Sequence, residues 1–123
     1  MCSSDLADQL PELRYAVGVH PLDAAKWEAT TAAELREAAQ ADPRVVAVGE
    51  LGLDLYRDTN LEQQLAALQP QLDLAWDLRL PVIVHCREAA APMLEEFRRR
   101  HREGTCPAGV MQVDCSHHGI LKV

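Results

Sequence analysis

Aromatic residues are scarce in this 123-residue sequence: one phenylalanine, two tryptophans and two tyrosines, within a hydrophobic fraction of 48%. That fraction suffices for the core of one small domain. Positive charge is also short, with 12 lysines and arginines against 19 aspartates and glutamates, a net charge of −7. Such a surface argues against broad, non-specific nucleic-acid binding, while leaving room for a local cationic pocket. No apolar run is long enough to span a bilayer, and no stretch reads as a signal peptide, so no membrane role is expected. The four cysteines, Cys2, Cys86, Cys106 and Cys115, form no C-x-x-C pair. They read as reduced thiols of an intracellular, cytoplasmic protein, with a secreted origin left open. G-x-G-x-x-G and the P-loop are both missing, so nucleotide binding by those routes is unsupported.

What is present centres on Val45-Val46-Ala47-Val48-Gly49-Glu50-Leu51-Gly52-Leu53-Asp54. A short apolar run ending in Gly-Glu reads as a strand buried on both faces, with Glu50 at its C-terminal end. That end is where α/β folds build their sites. The competing reading makes Glu50 the start of a surface turn. A second stretch, Leu80-Pro81-Val82-Ile83-Val84-His85-Cys86-Arg87, repeats the design. Strand alternation puts His85 and Arg87 on one face. Glu50 and His85 are suitable oxygen and nitrogen ligands for a divalent metal. Arg87 offers a planar fork for phosphate or carboxylate. Tyr15 to Val19 reads as a further strand ended by His20-Pro21. A histidine there is more often a turn residue, but it falls where Glu50 and His85 fall.

Helical signals separate these strands. Ser3, Ser4 and Asp5 can cap a short helix that Pro11 interrupts. Thr31-x-x-Glu34 and Thr59-x-x-Glu62 read as capping boxes. After the second, Leu61, Leu65, Leu68, Leu72, Ala75 and Leu78 mark one helical face. Pro70 inside that face predicts a kink and a cost of roughly 3 kcal/mol. A last helix is expected over 89–102, and its Arg98-to-Arg102 run reads as a solvated final turn favoured by the helix dipole. Ala108 to Met111 reads as one more strand. Strands alternating with helices predict an α/β parallel sheet with right-handed crossovers, as in a TIM barrel or a doubly wound sheet.

Three segments, Gly18-Val19-His20-Pro21, Val48-Gly49-Glu50-Leu51-Gly52-Leu53-Asp54 and Leu80 through Ala89, resemble three successive motifs of the TatD family. Gln71-Leu72-x-Leu74-Ala75-x-x-Leu78 is similar to the family's helix before the second metal-bearing strand here. The resemblance implies a TIM-barrel metal-dependent hydrolase, many of whose members are deoxyribonucleases. It implies that Glu50 is the catalytic, metal-bridging carboxylate and that His85 ligates one metal. Arg87 would contact substrate, His20 would lie beside the site on the substrate side, and Asp54 would brace it from behind the ligands. The cofactors implied are divalent ions, Mg²⁺, Mn²⁺ or Zn²⁺, which can activate water and stabilise both oxygens of a phosphoester displacement. DNA or another phosphoester is the implied substrate.

The departures from the family pattern are as specific. No His-x-His precedes Tyr15. Gln112 occupies the position expected for a later histidine. His117-His118 could replace it by a register shift, but the tail reads as unstructured. The expectation is therefore about half of a (β/α) barrel over 15–111, after a weakly patterned segment 1–14 and before a divergent tail 112–123. Its open sheet edges predict self-association. With Glu50 and His85 as the remaining ligands, weak metal binding and little nuclease activity are expected. A catalytically inactive remnant is the alternative.

Overall fold

The computed structural model describes residues 3–114 and 120–122. Helix α1 (Ser3–Gln9) precedes strand β1 (Tyr15–Val17), a 3₁₀ turn (Pro21–Lys26) and α2 (Thr31–Ala41). Then follow β2 (Val45–Asp54), α3 (Leu61–Leu78), β3 (Val82–Arg87), α4 (Ala90–Glu103), β4 (Val110–Asp114) and β5 (Ile120–Lys122). The strands lie in sequential order β1-β2-β3-β4-β5. β1 to β4 run parallel, and β5 pairs antiparallel with β4. A doubly wound sheet reverses its strand order partway, whereas consecutive parallel neighbours never reverse, as in one arc of a (β/α) barrel. Four parallel strands were expected; the antiparallel β5 and the run of β4 past Met111 to Asp114 are additions.

The core is aliphatic. Val48, Leu51 and Leu53 of β2 and Val82 and Val84 of β3 pack against Leu68, Leu72, Leu74 and Ala75 of α3 and Met93 of α4. Complete burial of a side chain the size of leucine stabilises by about 1.5–3 kcal/mol, and this cluster joins the sheet to two helices. β2 is not buried on both faces throughout: Val46 is 44% exposed. Nor does it stop at Gly49. Its pairing with β3 shifts register between Gly49 and Leu51, then continues to Asp54 opposite Arg87. The peptide between Gly49 and Glu50 is cis. Glu50 thus stands at an irregularity within the strand, not at its end.

Helix caps fall one residue from the expected boxes. The N-cap of α2 is Thr30, and the Thr31 hydroxyl instead accepts from the Glu28 N–H. The N-cap of α3 is Asn60, whose side-chain oxygen accepts from Gln63 N–H at 3.0 Å. Pro70 lies inside a continuous α3. The carbonyl that Pro70 cannot serve as a helical donor belongs to Ala66, an exposed residue. The arginine run is not wholly solvated. Arg100 is 3% exposed and ties α4 to α3, donating to Asp73 Oδ1 (2.8 Å), the Gln69 carbonyl (3.1 Å) and Glu96 Oε1 (3.3 Å). Its spacing of four and seven residues from buried Glu96 and Met93 turns it inward.

Candidate metal centre

His20, Glu50 and His85 come from three separate segments and meet on one side of the sheet. One ligand atom from each lies within 4.8 Å of the other two. His85 Nδ1 is 3.1 Å from Glu50 Oε1 and 3.1 Å from His20 Nε2, and His20 Nε2 is 3.5 Å from Glu50 Oε1. The two imidazoles meet edge to face, with centroids 4.3 Å apart. Because β2 irregularly outruns β1, Glu50 reaches this point from mid-strand, while His85 reaches it from the second half of β3.

Asp54 sets the chemistry of His85. Its Oδ2 lies 2.9 Å from His85 Nε2, and its Oδ1 accepts from the Tyr56 and Arg57 N–H groups at 3.0 Å each. Burial alone would raise this carboxyl. The bonds from Arg57, His85 and Tyr56 outweigh burial and hold it below its ordinary range, so it is an anion. An acceptor-only carboxylate places the proton on His85 Nε2, which leaves the Nδ1 lone pair toward Glu50. That lone pair and Glu50 Oε1 lie 3.1 Å apart and repel each other, and a proton on His20 Nε2, itself 3.1 Å from Nδ1, or a cation beside them relieves the repulsion. The donor set, one carboxylate and one imidazole nitrogen of fixed tautomer, fits a divalent metal.

His20 behaves differently. It is the N-cap of the 3₁₀ turn, and its Nδ1 accepts from Leu22 N–H at 3.1 Å. Burial and the neighbouring His85 push its pKa down, against the opposing pull of Glu50, so the neutral ring is favoured. With Nδ1 accepting, the single proton sits on Nε2. His20 therefore presents a hydrogen-bond donor to the cluster. Arg87 stands at the end of β3, its guanidinium stacked 3.9 Å from the centroid of the exposed Tyr56 ring. That stack holds the fork without a salt-bridge partner being needed to orient it.

Gln64 and Gln71, both fully buried on α3, escaped the sequence reading as site residues. Gln64 Oε1 accepts from Asp54 N–H (2.8 Å), and its Nε2 donates to the Asp54 and Asp58 carbonyls (2.9 and 3.0 Å). Gln71 Oε1 accepts from Val19 N–H (2.8 Å), and its Nε2 donates to the Val19 and Ala67 carbonyls (3.2 and 2.9 Å). The signal that could have found them is a pair of amides seven residues apart, within the apolar stripe of the helix. Gln112, expected at a histidine position, pairs with Val84 and lines a cavity of about 250 Å³ beneath α4 with Val84, Cys86 and Met93. Val113 is the residue paired with His85. His117 and His118 lie outside the described residues, as do Cys2 and Cys115; Cys86 and Cys106 are free thiols.

Comparison with known proteins agrees with this geometry. The family model described as TatD related DNase matches residues 3–113. A 3'-5' ssDNA/RNA exonuclease TatD from Erwinia amylovora is 55% identical over 73 residues, covering 58% of this chain and 28% of the relative. The protein of the same name from Escherichia coli K12 is 45% identical over 85 residues, covering 68% and 32%. The crystal structure of the E. coli K12 TatD homologue YJJV superposes with a TM-score of 0.70 at 36% identity, over 77% of this chain and 38% of that one. A TatD family hydrolase from Entamoeba histolytica gives a TM-score of 0.68 at 26% identity, over 83% and 37%. The chain thus spans about a third of the length of the curated relatives it matches. With the family match running from α1 into β4 and the Glu50–His85 cluster seated on its parallel strands, the chain belongs to the TatD related DNase family.

Proposed function

We propose that this chain carries part of a metal-dependent phosphodiesterase centre that acts on nucleic acid. The observation that supports it most is the Glu50–His85 pair, Oε1 and Nδ1 3.1 Å apart, with Asp54 bonded to the far nitrogen of His85. The exonuclease names of the relatives point to single-stranded DNA or RNA as the substrate class. In this reading Glu50 and His85 would hold the metal, and Glu50 would be the catalytic carboxylate. A divalent ion, Mg²⁺, Mn²⁺ or Zn²⁺, would supply Lewis-acid activation at the phosphate. His20 donates its Nε2–H toward a phosphate oxygen, and Arg87 binds phosphate through its fork. Asp54 keeps His85 in the ligating tautomer. No helix among the described residues is long and apolar enough to cross a membrane, and the reading places the protein's work in the cytoplasm.

Two protein ligands hold a metal weakly, so the chain alone is expected to bind Mn²⁺ with modest affinity and to degrade oligonucleotides slowly. Calorimetric titration with Mn²⁺ and fluorescence binding of a single-stranded oligonucleotide test the assignment. Glu50→Ala should weaken Mn²⁺ binding by about tenfold or more, since even outer partners of a metal site cost 10–100-fold. Arg87→Ala should leave Mn²⁺ binding intact and weaken the oligonucleotide. Mn²⁺ binding that is indifferent to Glu50→Ala would overturn the reading.

A further inference from the structure

We infer that α3 is a positioning element for the metal centre: Gln64 sets the tautomer of His85 through Asp54, and Gln71 sets that of His20 through Val19. This rests on the reading of Glu50 and His85 as a metal site.

The argument begins at the sheet edge. β1 pairs with β2 only as far as Val48, so beyond it the β1-facing edge of β2 has no ladder partner from that strand. Leu55 N–H is bonded to the Arg87 carbonyl on the β3 side. Backbone groups of successive strand residues face opposite edges, so Asp54 N–H and C=O face the unladdered side. Gln64 fills it. A primary amide carries one acceptor and two donors, and here it meets one N–H and the carbonyls of Asp54 and Asp58, as a neighbouring strand would. Val19 lies just past the end of β1 and meets the same need, with Gln71 gripping both its N–H and its C=O. Glutamate would lack the donors, and an aliphatic side chain would leave the backbone groups orphaned at 0–1% exposure of the side chains involved.

Each gripped residue is, or adjoins, a residue that fixes an imidazole. Asp54 itself holds His85 Nε2. Val19 precedes His20, whose Nδ1 must lie over Leu22 N–H to keep its own proton on Nε2. Seven residues at about 100° each bring Gln71 back to within roughly 20° of Gln64 and about 10 Å along the axis. One helix face therefore sets both segments against one another. The hydrogen bonds of the two glutamines go to backbone groups, so their effect passes through the backbone they hold.

The test is the imidazole ¹⁵N spectrum of the chain at pH 8, where neutral rings report their tautomers, with Mn²⁺ affinity alongside. In the native chain both His85 and His20 should be Nε2–H tautomers. Gln64→Met, similar in length without the amide, should move His85 to an averaged tautomer and weaken Mn²⁺ about 10–100-fold. Gln71→Met should average His20 and leave His85 as Nε2–H. Gln64→Asn carries the same expectation as Gln64→Met where the latter fails to fold. Leu68→Ala is the control for lost stability, because Leu68 lies between the glutamines at 1% exposure. It should lower the melting temperature and leave both tautomers unchanged. His85 remaining Nε2–H in Gln64→Met, or averaging equally in Leu68→Ala, would overturn the inference. If the native chain binds no Mn²⁺, the metal reading fails, and the tautomers alone decide the positioning role.

Discussion

Replacing Gly52 by alanine would put a methyl group where the chain has no space for one. Gly52 has φ +139°, and a Cβ built there lies 1.9 Å from the His85 carbonyl oxygen and 2.9 Å from its carbonyl carbon. The obstacle is backbone, which cannot swing aside as a side chain would. To reach an ordinary contact distance, β2 and β3 must part by more than about 1 Å where Gly52 pairs with His85. The unfavourable φ costs about 1–3 kcal/mol, and overpacking adds about 1–3 kcal/mol. The expected loss is about 2–6 kcal/mol, a large share of a stability of about 5–15 kcal/mol for a domain. Gly104→Ala isolates the first contribution: its φ is +75°, and nothing lies within 4 Å of the added methyl. That change should cost only about 1 kcal/mol. Urea melts of the three proteins, fitted with a common m-value, give the comparison. A loss in Gly52→Ala no larger than that in Gly104→Ala would refute the claim that these strands are held together by the missing side chain.

Two further outcomes follow from the periphery. The Arg44 guanidinium, then the Tyr15 hydroxyl and the Arg44 N–H, hold the Asp42 carboxyl far below its ordinary range. A depressed carboxyl stabilises the fold above its ordinary pKa of about 3.9 and loses that contribution as pH falls toward the folded value. Asp42→Asn should thus lower the melting temperature at pH 7 and flatten its fall below about pH 4; parallel curves for the two proteins would contradict this. Self-association should use an outer edge of the sheet, β1 or β5, since β5 covers β4 and becomes the edge in its place. Sedimentation velocity should show dimer growing with concentration, and a single monomer boundary throughout would exclude it.

The sequence was most legible where one element decided one feature. The run Val82–Val84 ending in His85 and Arg87 is the strand it looked to be, and the alternation of strands and helices carried the parallel sheet. Glu50 and His85 do meet. The less legible parts depend on several elements at once. Gly49 and Gly52 broke the apolar pattern, so the continuation of β2 to Asp54 was hidden by the irregularity that turns Glu50 toward His85. Gln64, Gln71 and Arg100 are polar residues on helices, and polarity alone reads as exposure; only their partners in other segments account for their burial. The caps at Thr30 and Asn60 differ from the expected boxes by one residue, which spacing alone does not resolve.

The two amides of α3 also bear on which changes the chain can absorb over evolutionary time. Between Gln64 and Gln71, exposed Ala66 is open to exchange for most helix-forming residues. A one-residue insertion or deletion in the same interval is another matter. It turns Gln71 by about 100° and slides it about 1.5 Å, enough to take it off Val19 altogether. This stretch should therefore drift in composition at its exposed position and hardly at all in length, where a surface loop commonly varies in both.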